Sequence, residues 1–183
     1  TSWEEHEIPL VPGAQPIKQK YRPLNPIMET RLREQMDNWL KQGVIEKSDS
    51  PWSFRLLAVP KKNGKTRFCV DYRALNALTI KDSYPLPNIE DNLARLARSK
   101  IFSALDGSGA YHAISIKKED RPKTAFSTPW GLFHFCQMSF GLTGAPGRYS
   151  RLVQKLMEQV PPEWVLAYLD DTAIHTATLE EHL

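Results

Sequence analysis

The sequence predicts an α+β domain, on three observations. Strand-like apolar runs come in pairs around turn signals, as at Asn63-Gly64 and Pro129-Trp130-Gly131. Apolar residues at helical spacing form separate segments, and the two patterns are not interleaved as they are in a doubly wound α/β chain. The third observation is Tyr168-Leu169-Asp170-Asp171, a carboxylate pair inside an apolar run from Val165 to Ile174.

From the N-terminus, Pro9, Pro12, Pro16 and Pro23 predict an extended arm with no core of its own. Asn25-Pro26 then signals a helix start, with Asn as N-cap and Pro at the first helical position. Met28, Leu32, Met36, Trp39 and Leu40 follow at helical spacing until Gly43. Val44-Ile45 and Phe54 to Val59 read as strands. Asn63-Gly64, between Ala58-Val59 and Phe68-Cys69-Val70, predicts a hairpin with Lys61, Lys62, Lys65 and Arg67 on and beside its tip. Such a basic tip suits polyphosphate or a nucleic-acid backbone, and it equally suits a solubilising loop.

Pro85 and Pro87 precede a helix capped by Asn88, with Ile89, Leu93 and Leu96 on one face and a basic C-terminal end. The strand Ile101 to Leu105 delivers Asp106 into Gly107-Ser108-Gly109-Ala110, small residues that admit something bulky beside the backbone. Lys117 to Lys123 is a charged, short helical linker. Thr124–Ser127 and Leu132–Met138 form a second hairpin. A small-residue loop, Gly141 to Gly147, leads into a helix through Tyr149, Leu152, Val153, Leu156 and Met157, stopped by Pro161-Pro162. Trp164 to Leu169 then forms the strand into the aspartate pair.

Side chains alternate along a strand, so Asp170 and Asp171 converge only where the chain reverses, at a tight hairpin tip. Crowded carboxylates stay ionised beside a compensating cation, most simply Mg²⁺. With Asp106 as a third ligand they would form a two-metal site, ions ~3.5–4 Å apart, as used in phosphoryl and nucleotidyl transfer. A plain polar turn is the alternative for the pair.

Composition bounds the rest. The chain has 183 residues, enough for a real core, and its 41% hydrophobic and 25% charged residues are ordinary for a globular protein. No apolar run approaches the ~20 residues that span a bilayer, so no membrane partner is expected. The N-terminus has no signal-peptide pattern and no initiator Met, which suggests a start inside a longer product. Cys69 and Cys136 lie in apolar runs without a partner at CxxC spacing. They read as buried free thiols in a reducing compartment, and zinc is not expected. The net charge of +3 is too small to prove a nucleic-acid partner.

Four ordered stretches resemble the reverse transcriptases of long-terminal-repeat retroelements, most closely the gypsy type: VPKKNGKTRFCVDYRALN (59–76), FSALDGSGAYHAISI (102–116), FCQMSFGLTGAPGRYSRL (135–152) and YLDD (168–171). The resemblance covers essentially the whole chain. It implies a right-hand polymerase with fingers and a partial palm, an antiparallel palm sheet packed on helices. The arm and fingers would be 1–81, palm 82–114, returning fingers 115–143 and palm 144–183, with the thumb and RNase H regions beyond Leu183.

The resemblance also implies roles. Asp106, Asp170 and Asp171 match the catalytic triad that binds two Mg²⁺ ions, with Mn²⁺ as a substitute. Gly107, Ser108, Gly109 and Ala110 match the segment under the triphosphate, and Tyr111 matches the gate against a ribose 2′-hydroxyl. Lys62 and Arg67 match the phosphate-holding residues, with Lys61 a near-equal candidate. Asp71 and Arg73 would tie the fingers together. Phe140 and Gly141 would lie beside the nucleotide, Gln137 and Arg148 by the template, and Tyr168 and Leu169 at the primer end. Gly107–Ala110 is smaller than the family's usual segment, and Gly147-Arg148 replaces a more usual Ala-Thr. The implied function is RNA- and DNA-templated DNA synthesis from dNTPs on a primed template, inside the cell, in the cytoplasm or in virus-like particles. A non-catalytic nucleic-acid-binding or assembly module is the alternative, and Tyr111 opposes an RNA-synthesising polymerase. Exposed palm surface would favour a homo-oligomer.

Overall fold

A computed structural model describes residues 5–61, 64–84, 90, 94, 96, 97, 99–106, 110–168 and 171–183. In chain order its strands and helices are β1 (Glu5–His6), α1 (Pro26–Lys41), β2 (Ile45–Lys47), β3 (Leu56–Pro60), β4 (Thr66–Val70), α2 (Arg73–Leu78), β5 (Ile101–Asp106), β6 (Ser115–Ile116), β7 (Phe126–Thr128), β8 (Gly131–Phe135), α3 (Ala145–Leu156), β9 (Val165–Tyr168), β10 (Asp171–Thr176) and α4 (Leu179–His182). Single turns of 3₁₀-helix occupy Ala110–Ala113 and Arg121–Thr124.

Local chemistry accounts for the starts and stops. Asn25 Oδ1 accepts the Met28 amide at 2.9 Å, satisfying one of the orphan donors at the start of α1, and Pro26 follows it. The helix buries Leu32, Met36 and Trp39, while Leu40 of the expected stripe stays exposed. Gly43 turns the chain at φ 68°. The basic hairpin forms as β3 against β4, from Leu56 opposite Val70 to Pro60 opposite Thr66. Its loop is closed by Lys61 N donating to Lys65 O at 2.7 Å, and Gly64 supplies φ 76°.

Two three-stranded antiparallel sheets carry the rest, ordered β2-β8-β7 and β5-β10-β9. The core lies on the first. Phe54, Phe126, Ala125, Ile116, Leu75 and Met138 are fully buried, and the Phe54 ring meets Tyr72 edge-on at 5.5 Å. The Tyr72 hydroxyl donates to the Thr124 carbonyl at 2.8 Å, so this buried polar tip keeps a partner. On the second sheet, Phe102 and Leu105 of β5 remain exposed.

The N-terminal arm is extended as expected, but it feeds the common core. β1 pairs in parallel with β6, and Ile8 is buried. The Ile8 amide donates to Asp120 Oδ2 and its carbonyl accepts Lys123 Nζ, both at 2.8 Å. The buried Asp120 carboxylate is paired with Lys123, so the linker clasps the arm on both sides of one residue.

Two boundaries differ from expectation. Helix α3 begins at Ala145, so Gly147 lies inside the helix and not in the loop before it. The reason is packing: a Cβ at Gly147 would meet Asp82 Oδ2 at 3.1 Å and Tyr84 Cβ at 3.3 Å. The 82–84 segment is held there by the Asp82–Arg151 ion pair and by the Arg151 guanidinium over the Tyr84 ring at 4.5 Å. The helix also ends at Leu156, before Pro161-Pro162. The predicted cap Asn88 and the apolar residues Ile89 and Leu93 lie outside the described residues, while Glu90, Ala94 and Leu96 are helical. Among the described residues no helix is long and apolar enough to cross a membrane.

The arm carries a pH signature. His6 is buried with its Nδ1 lacking a hydrogen-bond partner, and burial, then the Arg148 charge, lowers its pKa from 6.5 to about 4. The folded state therefore stays neutral at His6 where the unfolded chain takes up a proton. Stability should fall as pH drops from 6.5 toward 4, by up to ~3 kcal/mol from this group at ~1.4 kcal/mol per pKa unit. Urea unfolding of wild type and His6→Gln across that range should show a steeper acid loss for wild type. Parallel curves would remove the assignment.

Candidate active site

Two of the three acidic positions are set opposite each other by strand register. β5 and β10 pair antiparallel from Thr176 opposite Ile101 to Asp171 opposite Asp106. On its other side Asp171 pairs with Tyr168 of β9. Asp106, sixty-odd positions away in sequence, thus ends its strand directly across from the first residue of the hairpin's return strand. Opposed residues in antiparallel strands have Cα atoms ~4.5–5.5 Å apart, within range of a shared ligand. The chain reverses between Tyr168 and Asp171, where the paired carboxylates were expected at a tip; Leu169 and Asp170 lie outside the described residues.

A second group of expected residues converges on aromatic rings. Tyr111, in the 3₁₀ turn that begins at Ala110, is 8% exposed and packs edge-on against Phe140 at 4.8 Å and Tyr149 at 5.6 Å. The exposed Arg67 of β4 sets its guanidinium over the Phe140 ring at 5.3 Å. A cation over a ring face is attracted by the ring quadrupole, so Arg67 is steered without surrendering its N–H donors to a carboxylate. His112 meets Phe140 at 6.0 Å and its Nδ1 donates to the Met138 carbonyl, 3.1 Å away; burial lowers its pKa. Gly141 follows with φ 92°, a left-handed conformation that favours glycine.

Asn76, to which the sequence reading assigned no role, holds this loop. Its Nδ2 donates to the Gly141 carbonyl at 2.7 Å and its Oδ1 accepts the Thr143 amide at 3.0 Å. One amide side chain thereby satisfies both a donor and an acceptor of the backbone. The only signal in the sequence was a lone amide in an otherwise apolar stretch, Ala74 to Leu78.

The remaining expected residues are placed as follows. Lys61 is exposed at the hairpin loop, and Lys62 lies outside the described residues, as do Gly107, Ser108 and Gly109. Gln137 follows β8, bridges to Ser115, and accepts the Ser115 hydroxyl at 3.2 Å. Arg148 of α3 lines a pocket with His6, Lys81 and Asp82, beside the arm. Asp71 and Arg73 pair with each other, Nε to Oδ1 at 2.8 Å and Nη2 to Oδ2 at 2.6 Å, so their tie is local to the start of α2. That contact holds the Asp71 carboxyl below its usual range.

Comparison with known proteins follows the same segments. Residues 59–183 match the family described as reverse transcriptase (RNA-dependent DNA polymerase). The chain is 36% identical over 173 residues to the retrovirus-related Pol polyprotein from transposon 297 of Drosophila melanogaster, covering 92% of this chain and 16% of that protein. It is 33% identical over 179 residues to the transposon Tf2-3 polyprotein of Schizosaccharomyces pombe, covering 98% of this chain and 13% of that one. The chain thus spans about a sixth or less of the length of these curated relatives. Among solved structures, the foamy viral protease-reverse transcriptase in complex with RNA/DNA hybrid superposes with a TM-score of 0.88 at 26% identity, over 99% of this chain and 24% of that one. The same enzyme in complex with double-stranded DNA, in the form called dRH, gives 0.88 at 27% identity, over 99% and 31%.

Replacing Asn76 by Ala should release the 141–143 loop and cost ~1–2 kcal/mol, the scale of leaving backbone groups unpaired. Hydrogen exchange should speed up at Thr143 with little change at β8. Unchanged protection at Thr143 would count against the clamp.

Proposed function

This chain belongs to the reverse transcriptase (RNA-dependent DNA polymerase) family, and on that premise we propose that it extends a primer 3′-hydroxyl with deoxynucleotides on an RNA or DNA template, inside the cell. The observation that carries this reading is the register setting Asp106 across from Asp171, at the hairpin that also contains Asp170. Carboxylates brought together from two strands repel unless a cation joins them, and hard oxygen donors suit Mg²⁺, with Mn²⁺ as a substitute. Asp106, Asp170 and Asp171 would hold two such ions. When bound, these lower the pKa of the primer hydroxyl and neutralise the triphosphate and departing pyrophosphate.

The other residues bind and orient. Arg67, with Lys62 or the adjacent Lys61, receives the phosphates from the hairpin between β3 and β4. Its position over Phe140 leaves the planar N–H fork free to turn toward phosphate oxygens. The backbone from Gly107 to Ala110 would lie under the triphosphate. Tyr111 acts as the barrier to a 2′-hydroxyl, and its packing between Phe140 and Tyr149 supports this, because a ring held on two sides yields little to an extra oxygen. Gly141, clamped by Asn76, leaves room for the base, and Gln137 and Arg148 belong to the template side. Tyr168 and Leu169 meet the primer end. The β2-β8-β7 sheet and the basic hairpin then make up the fingers, and the β5-β10-β9 sheet with α3 the palm.

Metal-dependent primer extension tests the assignment. Asp106→Asn and Asp170→Asn should each lower the rate by roughly 10²–10³-fold or more while primer–template binding persists. Extension equal to wild type by both variants would point to a module that binds nucleic acid without catalysis.

Tyr111→Ala should raise ribonucleotide incorporation relative to deoxynucleotide by at least ~10-fold, read from competing extension products. Unchanged selectivity would refute the gate.

A further inference from the structure

Three chemically unlike donors meet on the β2-β8 pair, in a different sheet from β5 and β10. Glu46 stands directly opposite His134 in the strand register, and Cys136 follows His134 by two positions, the repeat that returns a side chain to the same face. One atom from each, a Glu46 oxygen, a His134 nitrogen and the Cys136 sulfur, lie within 4.8 Å of one another. His134 and Cys136 are 9% and 8% exposed. Carboxylate, imidazole and thiol together are the donor set of a borderline-soft divalent ion.

We propose that Glu46, His134 and Cys136 bind Zn²⁺, with water in the fourth position, as a staple across the β2-β8 pair.

The surroundings are arranged for it. His134 Nε2 points at Glu46 Oε1, 2.7 Å away, and its other nitrogen is 2.8 Å from Ser48 Oγ. A metal-bound histidine characteristically spends its second nitrogen on such an outer partner. The Ser48 hydroxyl can serve both states, donating to Nδ1 in the free protein and accepting from it when the ring proton moves off Nε2. Cys136 loses its S–H proton to solvent as the S–Zn bond forms, and nothing else is consumed. Donor atoms around tetrahedral zinc sit about 3.5 Å apart at Zn–S ~2.3 Å and Zn–N ~2.0 Å. The Glu46–His134 contact must open and the sulfur close in by roughly an ångström. Glu46, with its side chain 52% exposed, can make that adjustment.

Without metal, the same cluster is a carboxylate–imidazole hydrogen bond beside an inert thiol. Burial, then the Glu46 charge, pushes the free Cys136 thiol up to about 11, so without metal it is protonated and unreactive. Arg121, whose Nη1 is 3.8 Å from Glu46 Oε1, opposes both effects by keeping the carboxylate and the incoming thiolate anionic. CxxC spacing could not reveal this site, because the third donor comes from a different strand. The staple would act on the candidate active site through β8. The Cys136 amide is bonded to the Val44 carbonyl at 2.8 Å, and the chain continues from it to Gln137, Phe140 and Gly141.

Cobalt titration of this chain tests the proposal. One equivalent of Co²⁺ should give a sulfur-to-cobalt charge-transfer band with tetrahedral d–d bands, and Zn²⁺ should displace it. Cobalt held by aspartates gives no sulfur band, so the outcome is independent of the polymerase reading. Cys136→Ser should abolish the band, Cys69→Ser should leave it, and Ser48→Ala should weaken binding 10–100-fold. If Cys136→Ser does not fold, the exposed Glu46→Gln carries the test, with at least ~10-fold weaker binding expected. Absence of the sulfur band in wild type, its dependence on Cys69, or undiminished affinity in Glu46→Gln would overturn the site.

Discussion

The pairing of β5 with β10 is the constraint on which the proposed function turns. Register in an antiparallel sheet is all or nothing: a slip by one residue transfers every side chain to the opposite face. Six consecutive pairs, from Ile101–Thr176 to Asp106–Asp171, hold that register, and β9 holds β10 from the other side. In the proposed site, carboxylates carried by these opposed strands would gain nothing from proximity by themselves, since like charges repel. The apolar and β-branched residues of the strands fix the register, so the proposed site would be a geometry imposed by the sheet that a cation relieves.

The aromatic cluster is assembled from separate elements: Arg67 from β4, Tyr111 from a 3₁₀ turn, Phe140 and, beside it, Gly141 from the loop after β8, and Tyr149 from α3. Two side chains of one short segment join these parts. Tyr72 closes the core against Thr124, and Asn76, one helical turn on, fixes the loop at Gly141. The core and the aromatic cluster thus share a border only a few residues wide. The arm adds to the same rigidity by lending Ile8 to the core and placing buried His6 beside Arg148 and Gly144.

Much of the fold was legible because its signals are local. An Asn-Pro cap and an Asn-Gly hairpin each act within a few residues of where they stand. The misjudged boundaries failed for the opposite reason. Gly147 resembles a loop former in the sequence, yet it is a helical residue made small by Asp82 and Tyr84 from a distant segment. Asp71 and Arg73 were expected to bind parts together and instead satisfy each other across two residues, the shorter and less entropically costly option.

By itself the sequence determined the element types, the basic hairpin and the family, because motif chemistry and turn propensity are properties of neighbouring residues. Only the tertiary structure decided that Asp106 stands opposite Asp171, that Arg67 lies over Phe140, and that Glu46 faces His134 and Cys136. Those are contacts between residues tens of positions apart, and strand register and core packing, which no local pattern encodes, are what set them.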